Sequence, residues 1–295
     1  MGQIALETEE VFIYGFGISG RWAADVIKNV IGFIDTDSKK WGKSHSGIPV
    51  FGPNILDNKD TSKITVIVAV VDIFDVLPLL KRKSIKNWRT LSEFIDIKNL
   101  KINRTGESDE FLSYSLKTVQ NCQNEALLEE TFFVRSVDLI ITEKCTLKCK
   151  DCANLMQFFD KPKTKDSTSV LHDISRLTER CDGLNEVRVI GGEPFINKQI
   201  YSILEGLTKI DKIKSIVIYT NGMIPPKIEH LKLLKHEKIL FSVTDYGKLG
   251  KNTDRTIEFL NTNDISHRAH PPENWTDSGK IGNYRRTVDQ MKELF

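Results

Sequence analysis

Short β-branched runs alternate with helical patterns along most of this chain, and that alternation limits the fold more than any other feature. Strands alternating with amphipathic helices build parallel sheets, because each helix carries the chain back to where the next strand begins. In the first hundred residues, 11–14 and 30–34 read as short apolar strands, and 64–71 is an unbroken run suited to a strand buried on both faces. Trp22, Ala23, Val26 and Ile27 fall on one face of an intervening helix. A mostly polar stretch follows to about residue 131, with a helix expected over 111–128. Strand patterns resume at 137–142, 187–190, 216–220, 239–243 and 265–267, with helical faces at Val170, Leu171, Ile174, Leu177 and at Ile200, Ile203, Leu204, Leu207. A last helical segment is expected over 284–295. The fold class is α/β, and in repeated βα units the functional residues sit at the carboxyl ends of the strands.

Composition excludes several classes. The 295 residues hold 42 Lys and Arg against 40 Asp and Glu, and the balance is local: 13 to 12 in the first hundred residues, 29 to 28 in the rest. Neither part has the basic excess of a nucleic-acid binder. The longest apolar run, residues 66–71, is too short to span a bilayer. The amino terminus carries Glu7, Glu9 and Glu10 with no basic stretch, so it does not read as a secretory signal. A cytoplasmic protein is expected, with no nucleic-acid and no membrane partner.

Of five cysteines, Cys145, Cys149 and Cys152 fall within eight residues, on the loop directly after the strand at 137–142. In a reducing compartment such a group binds metal or performs redox chemistry. Thiolates so spaced on one loop can converge on an iron–sulfur cluster. Three ligands on a four-iron cube leave one iron open, and an open position separates a catalytic metal site from a closed structural one. The competing reading is a zinc site completed by His172. Cys122 and Cys181 read as small buried hydrophobes.

Two further segments join the cysteine loop. Residues 187–194 read Val-Arg-Val-Ile-Gly-Gly-Glu-Pro, and residues 219–222 read Tyr-Thr-Asn-Gly, each at a strand end. Together the three motifs resemble the radical S-adenosylmethionine (SAM) superfamily over residues 135–270. The resemblance implies a partial (β/α)6-type barrel over 135–295, in an oxygen-sensitive enzyme. Cys145, Cys149 and Cys152 would bind three irons of a [4Fe-4S] cluster, with SAM chelating the fourth. Gly191, Gly192 and Glu193 would contact the methionyl amino group, and Asn221 and Ser242 the carboxylate or ribose. A low-potential donor such as flavodoxin or ferredoxin would supply one electron to give methionine and a 5′-deoxyadenosyl radical. Two departures stand out. Asp151 occupies a position that is often aromatic in the family. The barrel also counts five strands, with no cysteine after Cys181, so the chain reads as a minimal enzyme or as a fragment truncated at the carboxyl end.

Gly15-x-Gly17-x-x-Gly20 lies between a strand and a helix, with Asp35 closing the next strand. Glycines there permit a tight turn and close approach of a phosphate, and the acid can take a ribose hydroxyl. With residues 32–37, 40–43 and 47–50, this segment resembles small Rossmann-like domains of surface-glycan biosynthesis that bind UDP-amino-sugars. That resemblance implies a nucleotide- or sugar-nucleotide-binding domain over 1–100, followed by a helical connector over 101–134. The expected substrate is a sugar nucleotide or glycan precursor. A peptide or protein substrate is the alternative, and a non-catalytic nucleotide-binding protein with a structural metal site is a third reading. Lys81, Arg82, Lys83, Lys86 and Arg89 read as a solvated basic face. Residues 245–247, His267, His270 and Trp275 are further candidates near the barrel mouth.

Overall fold

In the computed structural model, which describes residues 4, 6, 10–97, 100, 102–128, 131–149, 152 and 154–272, the two alternating blocks become two sheets bridged by one long helix. The first sheet comprises Glu10–Tyr14 (β1), Val30–Ile34 (β2), Ser44–His45 (β3), Ile48–Phe51 (β4), Ile64–Val68 (β5) and Trp88–Thr90 (β6), in the order β3-β4-β2-β1-β5-β6. Neighbours pair in parallel except β3 and β4. From β1 the chain moves outward through β2 to β4, then returns to the other side of β1 at β5. One face buries Val11, Ile13, Phe33 and Ile67 with Trp22 and Ala23 of the helix Ile18–Val26 (α1). The opposite face buries Phe12, Ile34, Val66 and Val68 with Leu80 of the helix Leu77–Arg82 (α2).

The bridging helix is Asp109–Ala126 (α3). The Ser108 hydroxyl accepts from Phe111 N–H at its start, and Asp109 and Glu110 suit the positive end of its dipole. Its apolar stripe, Leu112, Leu116 and Val119, completes the core of the first sheet. Gln123 is fully buried there: its amide donates to Val68 O and Val70 O, and its carbonyl accepts from Ser92 N–H. One side chain thus satisfies three backbone groups where β5 leaves the ladder. The other side of α3 meets the second sheet through polar groups. The Tyr114 hydroxyl donates to Glu186, and the Arg268 guanidinium lies 4.4 Å from the centre of the Phe111 ring.

The second sheet holds five strands among the described residues: Phe133–Ile140 (β7), Gly183–Ile190 (β8), Ile213–Thr220 (β9), Ile239–Thr244 (β10) and His267–His270 (β11). All pair in parallel in sequence order, with β7 and β11 at the edges, so the sheet is the expected partial barrel. Helices Ser167–Thr178 (α4), Ile200–Thr208 (α5), Leu231–Leu234 (α6) and Thr253–Thr262 (α7) pack on one face, against Val187, Val189, Ile216, Ile218, Phe241 and Val243. By the twofold alternation of strands, Asp138, Arg188, Tyr219, Ser242 and Arg268 lie on the other.

Three strands of the first sheet escaped the sequence reading. β3 and β4 form a short hairpin at one end of the sheet, with Pro49 in β4 breaking the local strand pattern. β6 is three residues long and takes in Arg89 at the end of the basic run. That run is largely surface, with Arg89 paired to Glu93 and Lys83 to Asp57. The 64–71 run leaves the ladder after Val68, and the 265–267 strand forms instead at His267–His270. Cys122 and Cys181 are buried free thiols. The helix expected over 284–295, Trp275 and Asp151 lie outside the described residues. Among the described residues, no helix is long and apolar enough to cross a membrane.

Candidate active site

The cysteine loop leaves the end of β7 and is held by the loop leaving β8. Gly192 N–H donates to Thr142 O at 3.0 Å and Glu193 N–H to Lys144 O at 2.9 Å. This close approach is why both glycines are needed. A Cβ at Gly191 (φ +155°) would stand 2.3 Å from Thr142 O, and one at Gly192 would stand 2.2 Å from Lys144 O and 2.7 Å from the Cys145 Cβ.

The three loop thiols are free and partly exposed. Cys145 Sγ accepts from Leu147 N–H at 3.4 Å and from the Asn221 amide at 3.7 Å. Burial raises the Cys145 thiol above its usual range, Leu147 N–H opposes this, and Glu193, Cys149 and Cys152 add to the rise. Ligation of iron must therefore release a proton there. The Tyr246 hydroxyl hydrogen-bonds with Cys149; burial, with all three thiols nearby, pushes it up to about 12. Cys145, Cys149, Cys152, Tyr246 and Asn221 thus face one locus. Among the described residues, no three Cys, His, Asp or Glu side chains sit close enough to hold a single metal ion. His172, the proposed fourth zinc ligand, stands exposed on α4.

Glu193 behaves differently from the implied contact with an amino group. It is 0% exposed, and its carboxylate accepts from Thr220 Oγ1 at 2.8 and 3.0 Å, Asn221 N–H at 2.9 Å and Phe195 N–H at 3.2 Å. It ties the end of β8 to the end of β9 and so positions Asn221. The Asn221 amide in turn donates to Thr146 Oγ1 at 3.0 Å, and Thr253 Oγ1 donates to Asn221 O at 2.9 Å. Ser242 lies two strands along the sheet from β8, its hydroxyl 3.2 Å from His270 Nε2. Thr220, Thr146 and Asn154, whose amide donates to Gly191 O at 3.3 Å, support the site and were not singled out from sequence. Only Thr220 carried a signal, as the threonine of the Thr-Asn-Gly segment.

Burial pushes the Glu193 carboxyl up to about 7, against the opposing pull of its backbone and hydroxyl donors. The native state then keeps a proton that the unfolded chain gives up near 4.5, so this group's contribution to stability falls as pH rises from about 4.5 to about 7. In cluster-free protein, urea unfolding of the wild type loses about 3 kcal/mol more than Glu193→Gln across that window. Parallel pH profiles for the two would refute it.

Gly15, Gly17, Gly20 and Asp35 assemble at a second place, on the first sheet. A Cβ at Gly20 would stand 1.9 Å from Gly15 O, so glycine lets α1 sit directly on the turn. Asp35 accepts from Phe16 N–H and Asp37 N–H, each at 2.9 Å, and from Lys40 Nζ at 3.0 Å. Burial raises its carboxyl, but these donors prevail and hold it below the usual range.

The Radical SAM superfamily profile matches residues 139–277. GTP 3′,8-cyclase of Clostridium acetobutylicum is 32% identical over 97 residues, covering 32% of this chain and 30% of the relative. Molybdenum cofactor biosynthesis protein moc-5 of Caenorhabditis elegans is 36% identical over 86 residues, covering 28% of this chain and 14% of the relative. The chain thus spans less than a third of the length of either. Streptococcus suis SuiB bound to precursor peptide SuiA is similar in structure, with TM-score 0.40 and 20% identity over 75% of this chain and 47% of that one. Radical SAM enzymes use a [4Fe-4S] cluster and S-adenosylmethionine. Residues 139–277, which carry the cysteine loop, the paired glycines and Asn221, are a radical SAM domain.

Proposed function

We propose that this protein is an enzyme that cleaves SAM reductively at a [4Fe-4S] cluster and turns the radical on a sugar nucleotide or glycan precursor. The convergence of Cys145, Cys149, Cys152 and Asn221 against the paired glycines carries the first part. When bound, the cluster supplies the electron that splits SAM into methionine and a 5′-deoxyadenosyl radical. Cys145, Cys149 and Cys152 hold it, and the donors from Leu147 and Asn221 to Cys145 Sγ tune its potential. Gly191 and Gly192 fix the loop against β8, and Glu193 sets the Asn221 amide beside Cys145. A low-potential donor such as flavodoxin or ferredoxin provides the electron. In this reading residues 1–100 are a nucleotide-binding domain, 101–134 a connector and 135–295 the radical domain.

The sheet face opposite α4–α7 supports the substrate class. Arg188 is paired there with Glu186 and Asp138, while Arg268, Ser242 and His270 offer a cation and hydrogen-bonding partners, which suit an anionic, hydroxylated small molecule. The similarity to enzymes named for GTP favours a nucleotide-linked one.

The test is anaerobic reconstitution with iron and sulfide, followed by SAM and a low-potential reductant. Methionine and 5′-deoxyadenosine form in equal amounts, and one member of a UDP-, GDP- and dTDP-sugar panel speeds their formation roughly tenfold or more. Iron-loaded protein that makes no 5′-deoxyadenosine overturns the reading. Deuterium passing from a labelled peptide into 5′-deoxyadenosine would replace the sugar nucleotide with a peptide.

A further inference from the structure

Two hydrogen bonds fix where the proton sits on one side chain at the mouth of the second sheet. His270, the last residue of β11, places Nδ1 2.9 Å from Pro271 O and Nε2 3.2 Å from Ser242 Oγ. A carbonyl oxygen only accepts, so Nδ1 carries the ring proton. In the neutral imidazole Nε2 is then a bare acceptor, and the Ser242 hydroxyl donates to it. The β10–β11 ladder builds this pair: Thr244 stands opposite His270, and Asp245 N–H donates to His270 O at 2.8 Å. By strand alternation both side chains lie on the face opposite α4–α7, beside Arg268. The residue after Asp245 is Tyr246, at Cys149, so the pair borders the cysteine locus. His270 is partly exposed and reachable from the open side of the sheet. One ring nitrogen is saturated by backbone, and the other holds a lone pair on a hydroxyl. That arrangement suits the uptake of a proton through the hydroxyl.

We propose that Ser242 and His270 form a proton relay that deprotonates a substrate hydroxyl once the neighbouring hydrogen atom has been abstracted. The relay rests on the SAM chemistry and the hydroxylated substrate argued above. In this assignment Ser242 serves the substrate instead of the SAM carboxylate or ribose. The 5′-deoxyadenosyl radical takes a hydrogen atom from a carbon that bears a hydroxyl. A C–H bond forms in 5′-deoxyadenosine, and one unpaired electron stays on the substrate carbon. A hydroxyl on a carbon radical is far more acidic than that of an alcohol, because the charge left on oxygen spreads onto the radical centre. Its proton passes to Ser242 Oγ as the Ser242 proton passes to His270 Nε2. The substrate O–H bond breaks, an N–H bond forms on the imidazole, and no electron enters or leaves in this step. The products are a ketyl radical anion and an imidazolium. Pro271 O stays bonded to Nδ1–H and steadies the positive ring, while the Arg268 guanidinium, held over the Phe111 ring, favours the anion.

The test uses the full chain, reconstituted anaerobically, with SAM, a low-potential reductant, and UDP-, GDP- and dTDP-sugars deuterated on the sugar carbons. His270→Ala still moves deuterium from the sugar nucleotide into 5′-deoxyadenosine, but consumes that sugar nucleotide roughly a hundredfold more slowly. Imidazole added to the buffer restores consumption by roughly tenfold or more, which a purely structural histidine would not show. Without turnover, nitrogen NMR of isotope-labelled, cluster-free protein finds His270 protonated at Nδ1, and Ser242→Ala shifts the Nε2 resonance. Consumption by His270→Ala within about threefold of wild type overturns the relay. So does a loss that imidazole cannot restore, or a neutral ring protonated at Nε2. Loss of 5′-deoxyadenosine in His270→Ala, with the wild type active, also overturns it, since the pair then serves SAM. Wild-type protein that makes no 5′-deoxyadenosine overturns the SAM reading and the relay with it. Wild-type protein that makes it, beside a His270→Ala variant that consumes the sugar nucleotide normally, overturns the relay alone.

Discussion

Cys149→Ala gives a folded protein that makes no 5′-deoxyadenosine and retains no brown chromophore after reconstitution with iron and sulfide. The physical case rests on where Cys149 sits. It is partly exposed on a loop beyond β7, beside the Tyr246 hydroxyl, and contributes nothing to the hydrophobic core of the second sheet. Truncating it removes one thiolate from the locus shared with Cys145 and Cys152 and little buried apolar surface. Compared cluster-free by circular dichroism, the variant and wild type melt within about 2 °C of each other. A structural metal site makes the opposite forecast, since its ligands hold the fold together. Large destabilisation with no SAM turnover in the wild type would identify that case. Cys181→Ala is the control: it is buried between α4 and β8, away from the cysteine loop in sequence, so it costs stability and spares turnover.

Gly192→Ala is the second severe change, and it acts without touching a thiol. The new methyl would meet Lys144 O at 2.2 Å and Lys144 C at 2.5 Å, both backbone atoms that cannot swing aside. The cysteine loop must move away from β8, losing the Glu193 N–H to Lys144 O hydrogen bond and carrying Cys145 from Asn221. Overpacking of this kind costs about 1–3 kcal/mol, read by urea unfolding. Displacing the loop by about an ångström lowers 5′-deoxyadenosine formation roughly a hundredfold at saturating SAM. Wild-type turnover in this variant would show that the loop's register against β8 is irrelevant to the chemistry.

The sequence disclosed its most local chemistry most clearly. Cys145, Cys149 and Cys152 lie within one loop, and a spacing on one loop is visible without a fold. The βα alternation was equally legible, because period-two and helical patterns are local and the buried strands are rich in β-branched residues. The short outer strands were harder. β4 contains Pro49, β6 is three residues long, and both exist because a neighbouring strand supplies partners. No local pattern records a partner distant in sequence.

The role of Glu193 shows the limit within a motif. Its place after the paired glycines was plain, but its burial and its bonds to Thr220 and Asn221 N–H depend on β9, some 27 residues away. Ser242 and His270 likewise meet only because β11 pairs with β10, across 28 residues of chain. The sequence alone determined the two parallel α/β blocks, the cysteine trio and the glycine turns, since propensity and short-range spacing encode them. Tertiary packing alone decided which groups face the thiols, which carboxylate is closed off from water, and which hydroxyl meets the His270 ring. Those relations are distances between segments remote along the chain, and only the folded core sets them.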